Sequence, residues 1–264
     1  MNTDHTFCTS YPCKPGRCSR LRHFQPTPPT TPSCNGVYPV IAARFTVDEA
    51  KAQVEEHGFY VIEDTTIGSR VDEMIQKDYR FNLSEETGFN FWRDVVLSSP
   101  YIQGILSAFE SDGGVRYVLT DRGSLFPDPS HIKTLRYGGK QPDILAVQVW
   151  PRGSTAIYYR RSHRAKLKRF KTPTGAWEVV AKELRVLECP GERIDFDQGG
   201  MVIFGTRIAI DMIQGRSYYY SYFTEDMCRK FKPLVPPPSQ DVDEVAKLGL
   251  HVQREEFQTQ VTRE

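Results

Sequence analysis

What this chain of 264 residues does without narrows its function early. No stretch approaches the roughly 18 consecutive apolar residues of a membrane-spanning helix. The N-terminus carries no apolar block of the signal-peptide kind, so a cytoplasmic protein with no membrane partner is expected. Charge of one sign is missing too: 34 Lys and Arg stand against 33 Asp and Glu, a formal net charge of +1. Such a balance supplies no global field for nucleic acid or anionic lipid, and partners must be argued locally. No nucleophile elbow, phosphate-binding loop or dinucleotide-binding glycine pattern occurs, which weakens hydrolase and nucleotide readings. Cysteine is sparse, six in all. Cys8, Cys13, Cys18 and Cys34 follow neither zinc-pair spacing nor a disulfide framework and read as reduced thiols in a proline-rich arm.

The residues present divide the chain into three. Residues 1–40 hold Pro26-Thr-Pro-Pro-Thr-Thr-Pro32 and little apolar periodicity, a composition that cannot offset its ordering entropy, so a disordered tail is expected. Residues 41–230 read as one globular domain, and 231–264 as a linker with Pro236-Pro-Pro238 and a tail in which 241–250 docks as a short helix. Within the domain, Thr46 caps a helical pattern that Gly58 ends before a strand at Phe59-Tyr-Val-Ile62. Helices are expected near 67–79 and 90–109, the second interrupted at Ser99-Pro100. After Gly113-Gly114 the texture changes to short Val-, Ile-, Tyr- and Phe-rich runs at 115–119, 132–137, 144–150, 155–160, 184–188, 201–204 and 217–223. Helices segregated ahead of an antiparallel β core give an α+β class, a sandwich or barrel with N-terminal flanking helices.

Three segments carry a resemblance: His57-Gly-Phe-Tyr-Val-Ile62, Tyr158 to Leu167 with Arg161-Ser-His-Arg164, and Gly199 to Phe223. In their order the chain resembles the phytanoyl-CoA dioxygenase-like group of non-haem iron and 2-oxoglutarate oxygenases, and within it fungal proteins of secondary metabolism. The resemblance implies a double-stranded β-helix, a jelly-roll or cupin-like core. It also implies an iron site in which an early His-x-Asp and a later His bind Fe(II), and a basic residue beyond binds 2-oxoglutarate. Here no His-x-Asp or His-x-Glu occurs. His163-Arg-Ala165 has a methyl where a carboxylate belongs, and aligning Arg207 places Ile210 where the distal His belongs. Isoleucine has no lone pair for a metal. The expectation is therefore a degenerate centre with no metal and no cofactor, Fe(II) and 2-oxoglutarate being disfavoured. Asp195 and Asp197 are the remaining carboxylates near the motif, and a solvated or hydrogen-bonded pair is the plainer reading.

The candidate residues follow from the strands that flank the lost site in the resemblance. His163, Tyr158 and Asp211 are the candidate catalytic groups. Trp150, Arg207, Arg216 and Tyr220 are the candidate substrate-binding groups, able to orient an acidic or oxygenated small molecule. Two classes stand: an enzyme that keeps the old cavity, either oxygenase-like with an unconventional metal or metal-independent as an isomerase or cyclase working by proton transfer, or a non-catalytic partner of an active homologous oxygenase or of a second copy of itself. A third use, anion or nucleic-acid binding by the run Arg160 to Lys171, with seven Lys and Arg in 12 positions, lacks an aromatic platform of its own.

Overall fold

The computed structural model describes residues 45–128, 131–136, 143–172 and 177–253. The expected tail of residues 1–40, with its four cysteines, lies outside the described residues, as does 254–264. The helical half is built as the sequence suggests. Helix α1 (Val47–His57) starts where the Thr46 hydroxyl accepts from the Glu49 N–H at 3.3 Å, and it stops at Gly58, whose φ of 100° suits only glycine. Strand β1 (Phe59–Glu63) follows, then α2 (Thr65–Gln76), capped by the Asp64 carboxylate on the Thr66 and Ile67 N–H groups. Helix α3 (Glu86–Phe91) runs into a π-helical segment (Trp92–Leu97), and Ser99-Pro100 opens α4 (Pro100–Gly113), since proline is tolerated at the first turn but not inside.

Nearly all the other strands follow: β2 (Tyr117–Leu125), β3 (Ile132–Thr134), β4 (Ile144–Trp150), β5 (Ser154–Tyr159), β6 (Arg169–Lys171) and β7 (Trp177–Val179). After α5 (Ala181–Val186) come β8 (Gly191–Phe196), β9 (Gly200–Gly205), β10 (Ala209–Gln214) and β11 (Ser217–Thr224), and finally the short helices α6 (Glu225–Cys228) and α7 (Val242–Lys247). The strands form two antiparallel sheets, ordered β1-β9-β4-β11-β2 and β6-β7-β3-β10-β5-β8. From β2 to β5 and from β8 to β11 each strand crosses to the sheet its predecessor does not occupy, while β5 and β8 pair side by side. The six-stranded sheet ends on β8, which carries Glu192, Arg193 and Asp195.

Alternation decides which face each side chain serves. Ala146, Trp150, Val202 and Phe204 of the five-stranded sheet pack with Ala156, Tyr158, Phe196, Ile210 and Met212 of the six-stranded one, so the two sheets face each other. The intervening residues Leu145, Val147, Val149, Met201, Ile203, Tyr218, Tyr220 and Tyr222 instead meet Val54, Val71, Trp92, Ile105 and Phe109 of the helical half. Trp92 is wholly buried, and its indole N–H donates to the Tyr222 hydroxyl at 3.1 Å. The mixed helix and antiparallel sheet agree with the α+β expectation, but β6, β7 and β10 lie where the sequence announces no strand, and two further local corrections apply. Residues 184–188 are not a strand: 184–186 close α5, because only Leu184 points inward while Val186 is 69% exposed. The strand of that region is β8, and it includes Asp195, whereas Asp197 falls in the turn after it.

Candidate functional site

Between the sheets three inward side chains satisfy one another, while Trp150 Nε1 and Ser154 Oγ are buried with no hydrogen-bond partner among the described residues. The Tyr158 hydroxyl donates to Gln148 Oε1 at 2.8 Å, and Gln148 Nε2 donates to Ser217 Oγ; all three residues are fully buried. The Tyr158 ring stacks on Phe59 with centroids 4.8 Å apart, and Trp150 stacks on Phe196 at 4.6 Å. Burial pushes the Tyr158 phenol well above its ordinary range, so it is a proton holder rather than a base. Two candidate residues, Trp150 and Tyr158, therefore share this interior, as stacked and hydrogen-bonded members of a packed layer.

An iron site of the kind the resemblance implies needs donors on the inward ends of these strands, and the donor set does not fit. Ile210 faces inward, 1% exposed, within the apolar cluster of Tyr158, Phe204 and Met212. Ala165 packs instead with Leu167, Leu184, Cys189 and Ala209, on the other side of the six-stranded sheet. Among the described residues no group of three His, Cys, Asp or Glu side chains is placed to hold a metal ion. The internal segments 129–130, 137–142 and 173–176 contain none of these residue types. Asp195 is committed elsewhere: Arg193 and the Thr155 hydroxyl hold its carboxyl below the usual range.

The other candidates are dispersed. His163 lies in the turn after β5, 1% exposed, with Nε2 3.0 Å from the Glu55 carbonyl, which makes Nε2 the donor. Its ring rests against Gly58, where any Cβ would collide with it. Burial, aided by the charges of Arg164, Arg207 and His57, lowers its pKa to about 4, so the ring is neutral at physiological pH. Asp211, in register with Ile157 on β10, faces away from the inter-sheet layer near Tyr159, and burial raises its carboxyl above the usual range. Arg207 occupies the turn between β9 and β10, where its carbonyl accepts from Arg169 Nη2 at 3.3 Å. The structure does not gather His163, Tyr158 and Asp211 around one point.

It does bring Arg216 and Tyr220 together. The side chains at 216, 218 and 220 share the face opposite the inter-sheet layer, and there a cleft of about 400 Å³ opens between β2, β11 and the segment after α2. Arg80, Asn82, Arg122, Arg216, Tyr218 and Tyr220 line it, with Asp78 as the acidic member of the lining. Arg122 is half-buried. Its Nη2 donates to Asn82 Oδ1, while its Nε is closed to solvent with no partner among the described residues. The Tyr220 hydroxyl, on a residue 1% exposed, is likewise without a partner. Phe81 stacks on Tyr218, and the Arg216 guanidinium lies 4.4 Å from the Phe126 ring centroid and 4.8 Å from that of Tyr218. Arg80, Asn82 and Arg122 escape sequence reading, because 40 residues separate the Asn82–Arg122 pair and neither sits in a motif.

No family model and no curated protein sequence matches the chain. Among solved structures, the chain is similar to the non-haem α-ketoglutarate-dependent carbocyclase SnoK from nogalamycin biosynthesis, with 15% identity, 80% of this chain and 96% of that one covered, and a TM-score of 0.43. It is similar to the epimerase SnoN in complex with Fe3+, α-ketoglutarate and nogalamycin RO, with 11% identity, 67% and 83% covered, and a TM-score of 0.46. It is also similar to a prolyl-4-hydroxylase of Pseudomonas putida, with 9% identity, 68% and 95% covered, and a TM-score of 0.39. Scores below 0.5 at such identities carry no argument about chemistry, which must come from the residues themselves.

Proposed function

We propose that the chain is a double-stranded β-helix protein of the phytanoyl-CoA dioxygenase-like type that works without iron and holds an oxygenated, acidic small molecule in the outer cleft. The observation that carries this reading is where the uncommitted polar groups are. Inside the sheets Tyr158, Gln148 and Ser217 close on one another, and the unpartnered Trp150 Nε1 and Ser154 Oγ belong to residues that do not line the cleft, whereas Arg122 and Tyr220 keep donors unused on residues that line an opening. Buried donors without partners are costly, about 1–3 kcal/mol each, and a ligand that accepts from them returns that energy as affinity. The strand succession supports the β-helix, and the setting in fungal secondary metabolism follows from the sequence resemblance alone. The role assigned is binding, or proton transfer on the bound molecule, with no oxidative step.

The test is anaerobic titration of the untagged protein with Fe(II) and 2-oxoglutarate, followed by metal analysis and a succinate assay. Substoichiometric iron and no succinate are expected; one iron per chain with turnover overturns the reading. A second reading, a non-catalytic partner of a homologous oxygenase, draws on exposed apolar residues on β6 and around α5: Phe170 (57%), Val180 (46%) and Val186 (69%). Co-expression with such a homologue, followed by size-exclusion chromatography, tests it through a complex that Phe170→Ser with Val186→Ser abolishes.

A further inference from the structure

We infer that the cleft between β2 and β11 is a carboxylate site, and that its ligand is a monocarboxylic acid carried on a flat unsaturated or aromatic body. The inference rests on the cleft being the ligand site and names what that ligand is. Arg122 and Tyr220 line the cleft, and each holds a buried donor, Nε–H and O–H, with no partner among the described residues. Arg122 is the charged member of the pair, and Asn82 fixes its guanidinium through Nη2. Two donors match the two oxygens of a carboxylate, and a charge-assisted bond from a guanidinium is the stronger kind. A phosphate ester brings a further terminal oxygen and up to two charges into the same depth, where those two donors leave it under-satisfied. Arg80 and Arg216, both exposed, stand where they raise the local anion concentration without fixing geometry.

The body of the ligand is inferred from the walls. Phe81 and Tyr218 lie stacked, with planes 19° apart, and the Arg216 guanidinium sits against the Tyr218 ring, so the wall between floor and rim is aromatic and cationic. Arg216 already rests on two rings, Phe126 and Tyr218, so a flat body meets this wall at ring edges, the T-shaped contact that aromatic quadrupoles favour.

Calorimetric titration of the full chain with trans-cinnamate, its neutral isostere cinnamamide and phenyl phosphate tests the assignment. Cinnamate is expected to bind at least ten-fold more tightly than either, which is 1.4 kcal/mol or more. Tyr220→Phe removes one oxygen that has no partner among the described residues, so folding should be retained; it should weaken cinnamate about ten-fold and cinnamamide, whose carbonyl is the weaker acceptor, by less. Arg122→Met should abolish the preference for the acid. Equal binding of acid and amide, stronger binding of phenyl phosphate, or no binding of cinnamate at millimolar concentration overturns the carboxylate assignment. If the probes bind and neither variant changes any affinity, the cleft itself falls as the ligand site. Iron chemistry is decided separately by the anaerobic titration.

Discussion

The inter-sheet layer and the outer cleft are built from the same strands and differ in what their polar groups have found. On β4 and β11, Gln148 and Ser217 turn inward and are paired, while Tyr220, on the other face, is unpaired. Both regions are rich in tyrosine and both raise the phenols' pKa through burial, so neither composition nor proton affinity separates them. Access separates them: buried polar atoms without a partner among the described residues occur in both, Trp150 Nε1 and Ser154 Oγ inside and Arg122 Nε and Tyr220 Oη outside, but only the outer pair belongs to residues lining the cleft. A closed set of buried hydrogen bonds specifies a core, and an open set waits for a partner. Four experiments break or sharpen that contrast.

The largest effect should come from Trp150→Ala. Removing a fully buried indole stacked on Phe196 should cost about 3–5 kcal/mol, read from urea unfolding. A cost under about 1 kcal/mol would mean that the layer is loosely filled and able to admit a ligand. Next, Gln148→Leu strands the Tyr158 and Ser217 hydroxyls and should cost about 2–3 kcal/mol, much of it recovered in the double variant with Tyr158→Phe. No recovery would show that the three residues are not a unit.

The third effect is a pH dependence. His163 has a folded-state pKa lowered to about 4 by burial, against an unfolded value near 6.5. The unfolded chain therefore binds the proton first. The contribution is fully favourable to folding above pH 6.5 and is lost as the pH falls through the window down to about 4. His163→Gln should flatten the stability profile in that window, and an unchanged slope would assign the acid sensitivity to other groups. The smallest structural effect belongs to Arg216→Met. This exposed residue should change stability by less than about 0.5 kcal/mol while weakening an acidic ligand by a few-fold. Loss of stability without loss of binding would make Arg216 a structural clamp on Phe126 and Tyr218.

Much of the fold is legible in the sequence because its signals are local. Thr46 and Gly58 bracket α1, Ser99-Pro100 divides the helical stretch, and the alternation of Tyr218 to Tyr222 announces a strand with two working faces. Residues 184–188 mislead because Leu-Arg-Val-Leu-Glu is too short to distinguish a period of two from one of 3.6. Strand β10 is masked by the near-continuous apolar run from Met201, broken only at Gly205-Thr-Arg207. The resemblance placed the candidate groups along strands, and along a strand it selected Arg216 and Tyr220, which share a face. It could not see that Trp150 and Tyr158 serve the opposite layer, that His163 sits under Gly58, or that Asp211 points outward. Arg122 and Asn82 meet only after folding, and a contact spanning 40 residues leaves no periodic trace.

The open border of the six-stranded sheet bears on how the protein behaves at high concentration. A terminal strand presents a row of main-chain donors and acceptors that a neighbouring molecule's strand can complete. Along Gly191–Phe196 the residues at this border are Glu192, Arg193 and Asp195, tied by ion pairs to Arg160 and to each other. Ionised side chains there would have to shed water before a second molecule could add its strand, so the charges act as a guard against filament growth. Exchange of Arg193 and Asp195 for valine would turn that border into a template, and light scattering would register the assembly long before any loss of fold.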